Sequence, residues 1–264
     1  MLLSIDRREL CLAQLGKERT CRPAGMCERR FAFDLPMSAQ YVMRVTVIGG
    51  SGRTALLLTA DLVAAGVEVT ATIRSERGRA AARDAGAVAV GLDLERIDHV
   101  ALQSAIASRD AVVYAAGAGY GSSSALKRAI DRDAAQTVVA ALMAENQPPR
   151  LVMISTMGAD AAIAGAESGF EYYFRMKGEA DETIAKSGLS WTIVRPSGLT
   201  DSPPTGRVHL GVGLDGGTLP RGDLATLLLR ILIEPTGTHA LFDVTTGSDP
   251  INSVDLSAFE RKWP

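Results

Sequence analysis

Residues 47–55 read Val-Ile-Gly-Gly-Ser-Gly-Arg-Thr-Ala, VIGGSGRTA. The run Val45–Ile48 leads into them, and Ala55, Leu56, Leu57 and Leu58 lead away. The reading is a short buried strand, a turn of nearly bare backbone, and a helix. Gly49 permits the tight turn off the strand. Gly52 lets the backbone approach a ligand, and Ala55 is small enough for the helix to pack on the strand. The spacing is Gly-x-x-Gly-x-x-Ala rather than Gly-x-Gly-x-x-Gly. No Gly-Lys-Ser/Thr closes it, which excludes a P-loop. A helix N-terminus presents unpaired N–H groups and a partial positive charge, which suit a diphosphate. Gly49, Ser51, Gly52, Arg53 and Thr54 are therefore the candidate phosphate cradle.

The same alternation continues outward. Strands are expected at 44–48, 67–73, 87–90, 111–115, 150–155, 190–194 and 240–244, and helices at 52–65, 76–85, 100–107, 124–144, 172–187 and 223–233. Gly66 stops the first helix, as a glycine just past a helix end does. Pro148 and Pro149 break the fourth. Strands alternating with helices imply an α/β fold, a doubly wound parallel sheet of about seven strands with helices on both faces. Residues 43–264 form one domain on this reading, with a small substrate-side region within 197–264. Residues 1–42 form an N-terminal arm expected to be poorly ordered. Its first 36 residues carry seven Lys/Arg and five Asp/Glu with little periodicity.

The chain has 264 residues, 47% of them apolar, and a formal net charge of -2. A chain of this size buries about 75% of its unfolded surface, so a full core is available. The charge balance argues against nucleic acid or an anionic membrane surface as partner. No apolar run approaches the ~20 residues that span a bilayer. The opening MLLSIDRREL is too charged for a signal peptide, so the expected compartment is the cytoplasm. Cys11, Cys21 and Cys27 read as free thiols, their odd number and spacing matching no zinc pattern. His99, His209 and His239 are scattered, and no metal site is expected. The oligomeric state is open between monomer and dimer.

The other strand ends supply further contacts. An Asp or Glu at the end of strand two selects NAD by bonding the ribose 2′-OH. Here the strand ends Thr72-Ile73-Arg74. A guanidinium meets a 2′-phosphate with paired, charge-assisted bonds, and Arg53 at the helix start is expected to reach the same region. NADP(H) is therefore favoured over NAD(H). Asp93 is placed either to accept from the adenine amino group or to cap the next turn, with Leu94 beside the ring. Ala115, Ala116 and Gly117 are small enough for the ribose to lie across the sheet edge.

GGSGRTA, TIR, GLDL, YAAGAG, ISTMGAD, YYFRMK and TIVRPSGLTD follow in order from residue 49 to 201, and LPRGDLATLLLRIL comes later. Over roughly residues 43–250 the chain resembles the atypical short-chain dehydrogenase/reductase group of NAD(P)H-binding proteins, which includes NmrA-like and flavin-reductase-like members. The resemblance implies the Rossmann arrangement. It implies that Tyr173, four residues before Lys177 on one helix face, exchanges a proton with substrate, while Lys177 holds the nicotinamide ribose. It places Ser155 as the hydroxyl that orients a carbonyl, with Thr156 competing. Tyr172 offers a rival register. Pro196 stiffens a turn whose backbone faces the nicotinamide. Asp131 and Asp133 read as a solvated or capping pair. The expected activity is NADPH-dependent reduction of a small carbonyl, quinone or similar acceptor. The alternatives are a non-catalytic NADP(H) sensor, and flavin-reductase-like hydride transfer without a tyrosine acid.

Overall fold

The computed structural model describes residues 41–165, 168–234 and 236–260. The cysteines and nearly all of the arm lie outside them. An eight-stranded sheet runs β3 (Val88–Gly91), β2 (Glu68–Ile73), β1 (Arg44–Ile48), β4 (Ala111–Tyr114), β5 (Arg150–Ile154), β6 (Trp191–Pro196), β10 (Ala240–Pro250), β8 (Arg207–Gly211). Its first seven strands are parallel, and β8 alone is antiparallel, against β10. A parallel pair, β7 (Gly198–Thr200) and β9 (Thr218–Pro220), stands apart. The count therefore exceeds the expected seven. β10 runs eleven residues instead of five, and from Asp243 onward it pairs with β8, with a register shift between Thr245 and Asp249.

The strands are apolar on both faces because both are covered. On one face Leu58 and Leu62 of α1 (Arg53–Ala64) and Leu224, Leu228 and Ile231 of α7 (Arg221–Ile233) pack on Val45, Val47, Val113 and Val152. On the other, Tyr114, Met153 and Ile193 stand in one row across β4, β5 and β6. They meet α3 (His99–Ile106), α5 (Ala134–Met143) and α6 (Gly169–Ala185) through Leu102, Leu142 and Ile184. Each such leucine or isoleucine contributes about 1.5–3 kcal/mol by leaving water.

Local chemistry sets the helix ends. Ser75 caps α2 (Glu76–Asp84) by accepting from Gly78, and Asp98 caps α3 by accepting from Val100 and Ala101. Gly66 and Gly86, at φ +81 and +94, follow α1 and α2, the conformation a glycine adopts at little cost. The expected helix over 124–144 is α4 (Ser124–Lys127), a π-helical segment (Arg128–Asp133) and α5, end to end. The chain steps outward from β1 to β2 and β3, then crosses back to β4 and proceeds the other way. That reversal leaves a crevice at the carboxyl ends of β1 and β4, where sheets of this kind bind ligands.

Candidate functional site

Two clefts meet in the crevice and share Gly52, Ala115, Ala116 and Gly117. The smaller, about 240 Å³, lies towards β2 and β3 and includes Gly49, Ser51, Thr72, Arg74, Asp93 and Leu94. The larger, about 640 Å³, lies towards β5 and includes Arg53, Thr54, Ser155, Tyr173 and Lys177.

The glycine turn has steric reasons for its composition. Gly49 sits at φ +77, and a Cβ there would stand 2.7 Å from the Ala116 Cα. A Cβ on Gly50 would stand 2.6 Å from that of Ala71. Gly49 N–H donates to Thr72 Oγ1 at 3.2 Å and Gly50 N–H to the Thr72 carbonyl at 3.1 Å. The first bond of α1 runs from Leu56 N–H to the Gly52 carbonyl at 2.9 Å, so the amides of Arg53, Thr54 and Ala55 open towards the crevice. No side chain caps this terminus and no acidic residue stands in its first turn. An anion there meets donors and no repelling carboxylate.

On the β2 side, Arg74 ion-pairs with Glu95 at 2.5 Å. Asp93 lines the smaller cleft while its Oδ1 accepts from Glu95 N–H at 3.0 Å. The turn-capping role is thus present, and the side chain stays at the cleft wall. Arg53 departs from expectation. It lies in the larger cleft, away from Arg74, ion-paired with Asp201. Asp201 follows β7 and is held on its other oxygen by Arg221 at 2.7 Å, which draws Arg53 across the crevice. Pro196 also departs. It is the last residue of β6, not a turn residue, and lines neither cleft. Its carbonyl accepts from Met157 N–H at 3.0 Å.

α6 carries the polar end of the larger cleft. Tyr173 and Lys177 both line it. Tyr172 turns away to pack with Met176 and Ile163, with the Arg175 guanidinium 5.1 Å from its ring centroid, so the rival register is not the one facing the cleft. The Lys177 ammonium is buried and meets the Asp131 carboxylate at 3.3 Å, the Ala116 carbonyl at 3.3 Å and the Ile154 carbonyl at 3.2 Å. Two carbonyls accept hydrogen bonds from it and the carboxylate faces it as an ion pair, which fixes it at the ends of β4 and β5. Burial alone would lower its pKa, but the Asp131 carboxylate, then Tyr173 and Asp181, hold it above the usual lysine value.

Asp131 is fully buried, which corrects the reading of a solvated pair. Only Asp133 stays half exposed, beside Arg128 and Arg132. Asp131 lies in the π-helical segment, where the consecutive residues Ile130 and Asp131 are both buried, and such segments recur at functional sites.

Ser155 is buried and donates to Asp181 Oδ2 at 2.8 Å, the same oxygen that Arg195 meets at 2.9 Å. Its proton is committed there. Burial raises the Asp181 pKa, while Arg195 and Ser155 act in the opposite direction. Thr156 is the hydroxyl whose nearness lowers the Tyr173 pKa, while its own Oγ1 donates to the Met157 carbonyl at 3.4 Å. Burial pushes the Tyr173 phenol above its usual value. Lys177 and Thr156 pull it down, and Asp131 and Asp181 push it up. The residues that sequence reasoning missed are thus Asp131, Asp181 and Arg195, with Tyr120, Lys127, Phe170 and Arg221 on the cleft wall.

A strand-order reversal, an uncapped glycine-led helix and a continuous groove across them define a dinucleotide-binding protein. The chain belongs to the family described as NAD(P)H-binding, which matches residues 49–235. It is 33% identical over 184 residues, 69% of this chain and 84% of the other, to a Bacillus subtilis (strain 168) protein named Uncharacterized sugar epimerase YhfK. Among solved structures, it is similar to a Bacillus halodurans protein named provisionally as an NAD-dependent epimerase/dehydratase. The TM-score is 0.71 at 29% identity, covering 79% of this chain and 96% of the other. A Veillonella parvula short-chain dehydrogenase/reductase, solved in complex with NADP, shares the fold at TM-score 0.60 and 17% identity, covering 80% and 97%. No helix among the described residues is long and apolar enough to cross a membrane.

Proposed function

We propose that this protein is an NADP(H)-dependent oxidoreductase acting on a small carbonyl, quinone or similar acceptor. One observation carries the reading: Tyr173 and Lys177 open into the same cleft as the uncapped start of α1. The residues present fit the coenzyme. The amides of Arg53, Thr54 and Ala55 would hold its diphosphate. Arg74, in the smaller cleft without a carboxylate at the end of β2, would hold a 2′-phosphate. Asp93 and Leu94 would border the adenine.

When bound, the coenzyme gives or takes a hydride. The protein's own part is the proton. The Tyr173 phenol donates it to the substrate oxygen, and the Thr156 hydroxyl, on the loop after β5, would orient that phenol by turning to it from the Met157 carbonyl. Lys177, pinned by Asp131 and two carbonyls, would stabilise developing negative charge on the phenol oxygen and would hold the ribose. Ser155 acts at one remove, fixing Asp181 and through it Arg195. A cleft of about 640 Å³ must also seat the nicotinamide half of the coenzyme. That favours a small acceptor over a nucleotide-sugar of the kind an epimerase turns over.

The test is Tyr173→Phe, assayed by NADPH oxidation against quinones, aldehydes, ketones and flavins. Proton transfer by a positioned side chain is worth about 10²–10⁴ in rate, so kcat should fall by that order with NADPH affinity unchanged. The pH profile adds a second readout. Reduction uses the protonated phenol, and burial holds its pKa above the usual ~10. The parent's kcat for reduction should therefore stay level up to about pH 9. The committed proton of Ser155 favours one second reading, hydride transfer without a tyrosine acid. Under it Tyr173→Phe turns over like the parent.

A further inference from the structure

The wall of the larger cleft is specific in kind. Tyr120 and Phe170 face one another at its mouth, ring centroids 6.2 Å apart and tilted by 48°. Phe174 continues the row 6.2 Å beyond Phe170, and Tyr173 stands 5.8 Å beyond that. A file of four rings thus leads from solvent to the proposed proton donor. Its outer two members are largely bare, Tyr120 at 96% and Phe170 at 62% exposure. Exposed aromatic surface gathered at a cleft mouth marks a contact surface rather than a packing one. Tyr120 has a glycine at positive φ on each side, Gly119 and Gly121, and a Cβ on either would meet nothing within 4 Å. That backbone is shaped by its own turn, not wedged by neighbours, so a shift of Tyr120 meets no packed atom at either glycine. A flat ring in contact with both outer rings needs two separations of ~3.5 Å, ~7 Å in all. An outward swing of Tyr120 by about 1 Å, with a turn of its ring that removes the 48° tilt, supplies the difference from 6.2 Å.

Charge is equally one-sided. Arg53, Lys127, Lys177 and Arg221 line the cleft and no Asp or Glu does, among the described residues. Lys177 is neutralised by Asp131 behind it, and Arg53 and Arg221 share Asp201. Lys127 is the one whose ammonium meets a carbonyl instead of a carboxylate, that of Ser122 at 3.0 Å. Ser122 closes the Gly119 turn beside Tyr120, donating to the Gly119 carbonyl at 2.8 Å. Arg53 and Arg221 together still outnumber their one carboxylate, but Lys127, which meets no carboxylate among the described residues, is the cation tethered to the loop that carries the outermost ring.

We infer that the substrate is a flat conjugated ring bearing an anionic group, the ring held between Tyr120 and Phe170 and the anion met by Lys127. This rests on the oxidoreductase reading for its chemistry, while its recognition step stands by itself. In turnover, hydride from NADPH and the Tyr173 proton convert one quinone or carbonyl function to the corresponding hydroquinone or alcohol, leaving NADP⁺. Tyr173 recovers its proton from water.

Calorimetric titration with three unreactive probes tests recognition apart from turnover: 2-naphthoate, flat and anionic; 2-naphthamide, flat and neutral; and cyclohexanecarboxylate, anionic and not flat. Each is titrated into the full-length protein with and without saturating NADP⁺. An aromatic contact and a charge-assisted bond each correspond to about tenfold in affinity, so 2-naphthoate should bind about tenfold tighter than either other probe. Lys127→Met should remove the difference between 2-naphthoate and 2-naphthamide, and Lys127→Arg should retain it. Phe170→Ser should remove the difference between 2-naphthoate and cyclohexanecarboxylate while leaving the charge preference. Equal affinities for the three probes, or a Lys127→Met variant that still prefers the acid, overturn the inference. Failure of NADP⁺ to bind would sink the coenzyme reading and leave the probe titrations fully readable.

Discussion

Lys177 answers two demands at once. It faces the cleft beside Tyr173, and it is the counter-charge of a carboxylate with no exposure at all. Breaking a buried pair from one side leaves the other charge stranded, at a cost of about 3–5 kcal/mol, whereas replacing both partners by apolar groups is often neutral. Lys177→Met should therefore lower stability to urea by about that amount. Lys177→Met combined with Asp131→Leu should recover most of the loss, and neither variant should oxidise NADPH at the parent rate. A double variant as unstable as the single one would mean that the ion pair is not what Lys177 contributes to stability. The sequence exposed one half of this pair. Tyr173 and Lys177 are four apart and share a helix face. Asp181 continues the same face by four more residues, so the spacing already held it, although a carboxylate there reads equally well as a solvated side chain. Asp131 falls in step with the buried Ala135, Val138 and Leu142, and that coincidence was the available signal. The residue type argued the other way, because a carboxylate on an apolar stripe is stable only with a partner that sequence does not show.

At the scale of elements, the reach of Thr156 to Tyr173 depends on how closely α6 approaches the loop after β5, where Asp160 N–H donates to the Phe174 carbonyl at 3.3 Å. Gly178 sets that distance. A Cβ there would lie 2.3 Å from the Ala161 nitrogen and 2.3 Å from the Asp160 carbonyl carbon, both backbone atoms that cannot swing aside. Gly178→Ala should push the 156–162 loop off the helix, taking Thr156 from Tyr173. The expected result is a stability loss of about 1–3 kcal/mol, typical of overpacking, read from the denaturant midpoint. kcat should fall while NADPH affinity, set on the far side of the crevice by α1, holds. Unchanged kcat would show that Thr156 does not orient the phenol. Glycines inside helices are an element-level signal that sequence offers without explanation, since only the neighbour across the interface reveals the reason. The strands follow the same rule. Those buried on both faces, such as β4 and β5, are legible as apolar runs. β8, with the pattern Arg-Val-His-Leu-Gly, sits at the sheet edge with much of its surface open, and β10 continues past its apolar half only because β8 is there to pair with it. Pairing partners brought in from distant sequence decide such strands, and local composition does not.

For the whole molecule, the reversal between β1 and β4 converts separate local motifs into one groove. The glycine turn, the end of β2 and the end of β4 are far apart in the chain, yet they line the smaller cleft together. A ligand spanning that groove binds only the folded sheet, so its affinity is expressed as stability. At a concentration near 100 times Kd the gain is ~2.7 kcal/mol. For a domain of roughly 150–250 residues each kcal/mol moves Tm by ~2–4 °C, so saturating NADPH should raise Tm by about 5–10 °C. At matched concentration NADH should raise it less, because Arg74 has no 2′-phosphate to meet. Arg74→Glu decides the matter. A carboxylate at the end of β2 repels the 2′-phosphate and can accept from a ribose 2′-OH, so the order of the two coenzymes should invert. If Arg74→Glu leaves the NADPH shift intact, the phosphate is held elsewhere in the groove. Arg53 is then the cation to exchange next, since it is the guanidinium at the start of α1 and its present partner, Asp201, is an exposed carboxylate that a coenzyme phosphate can displace.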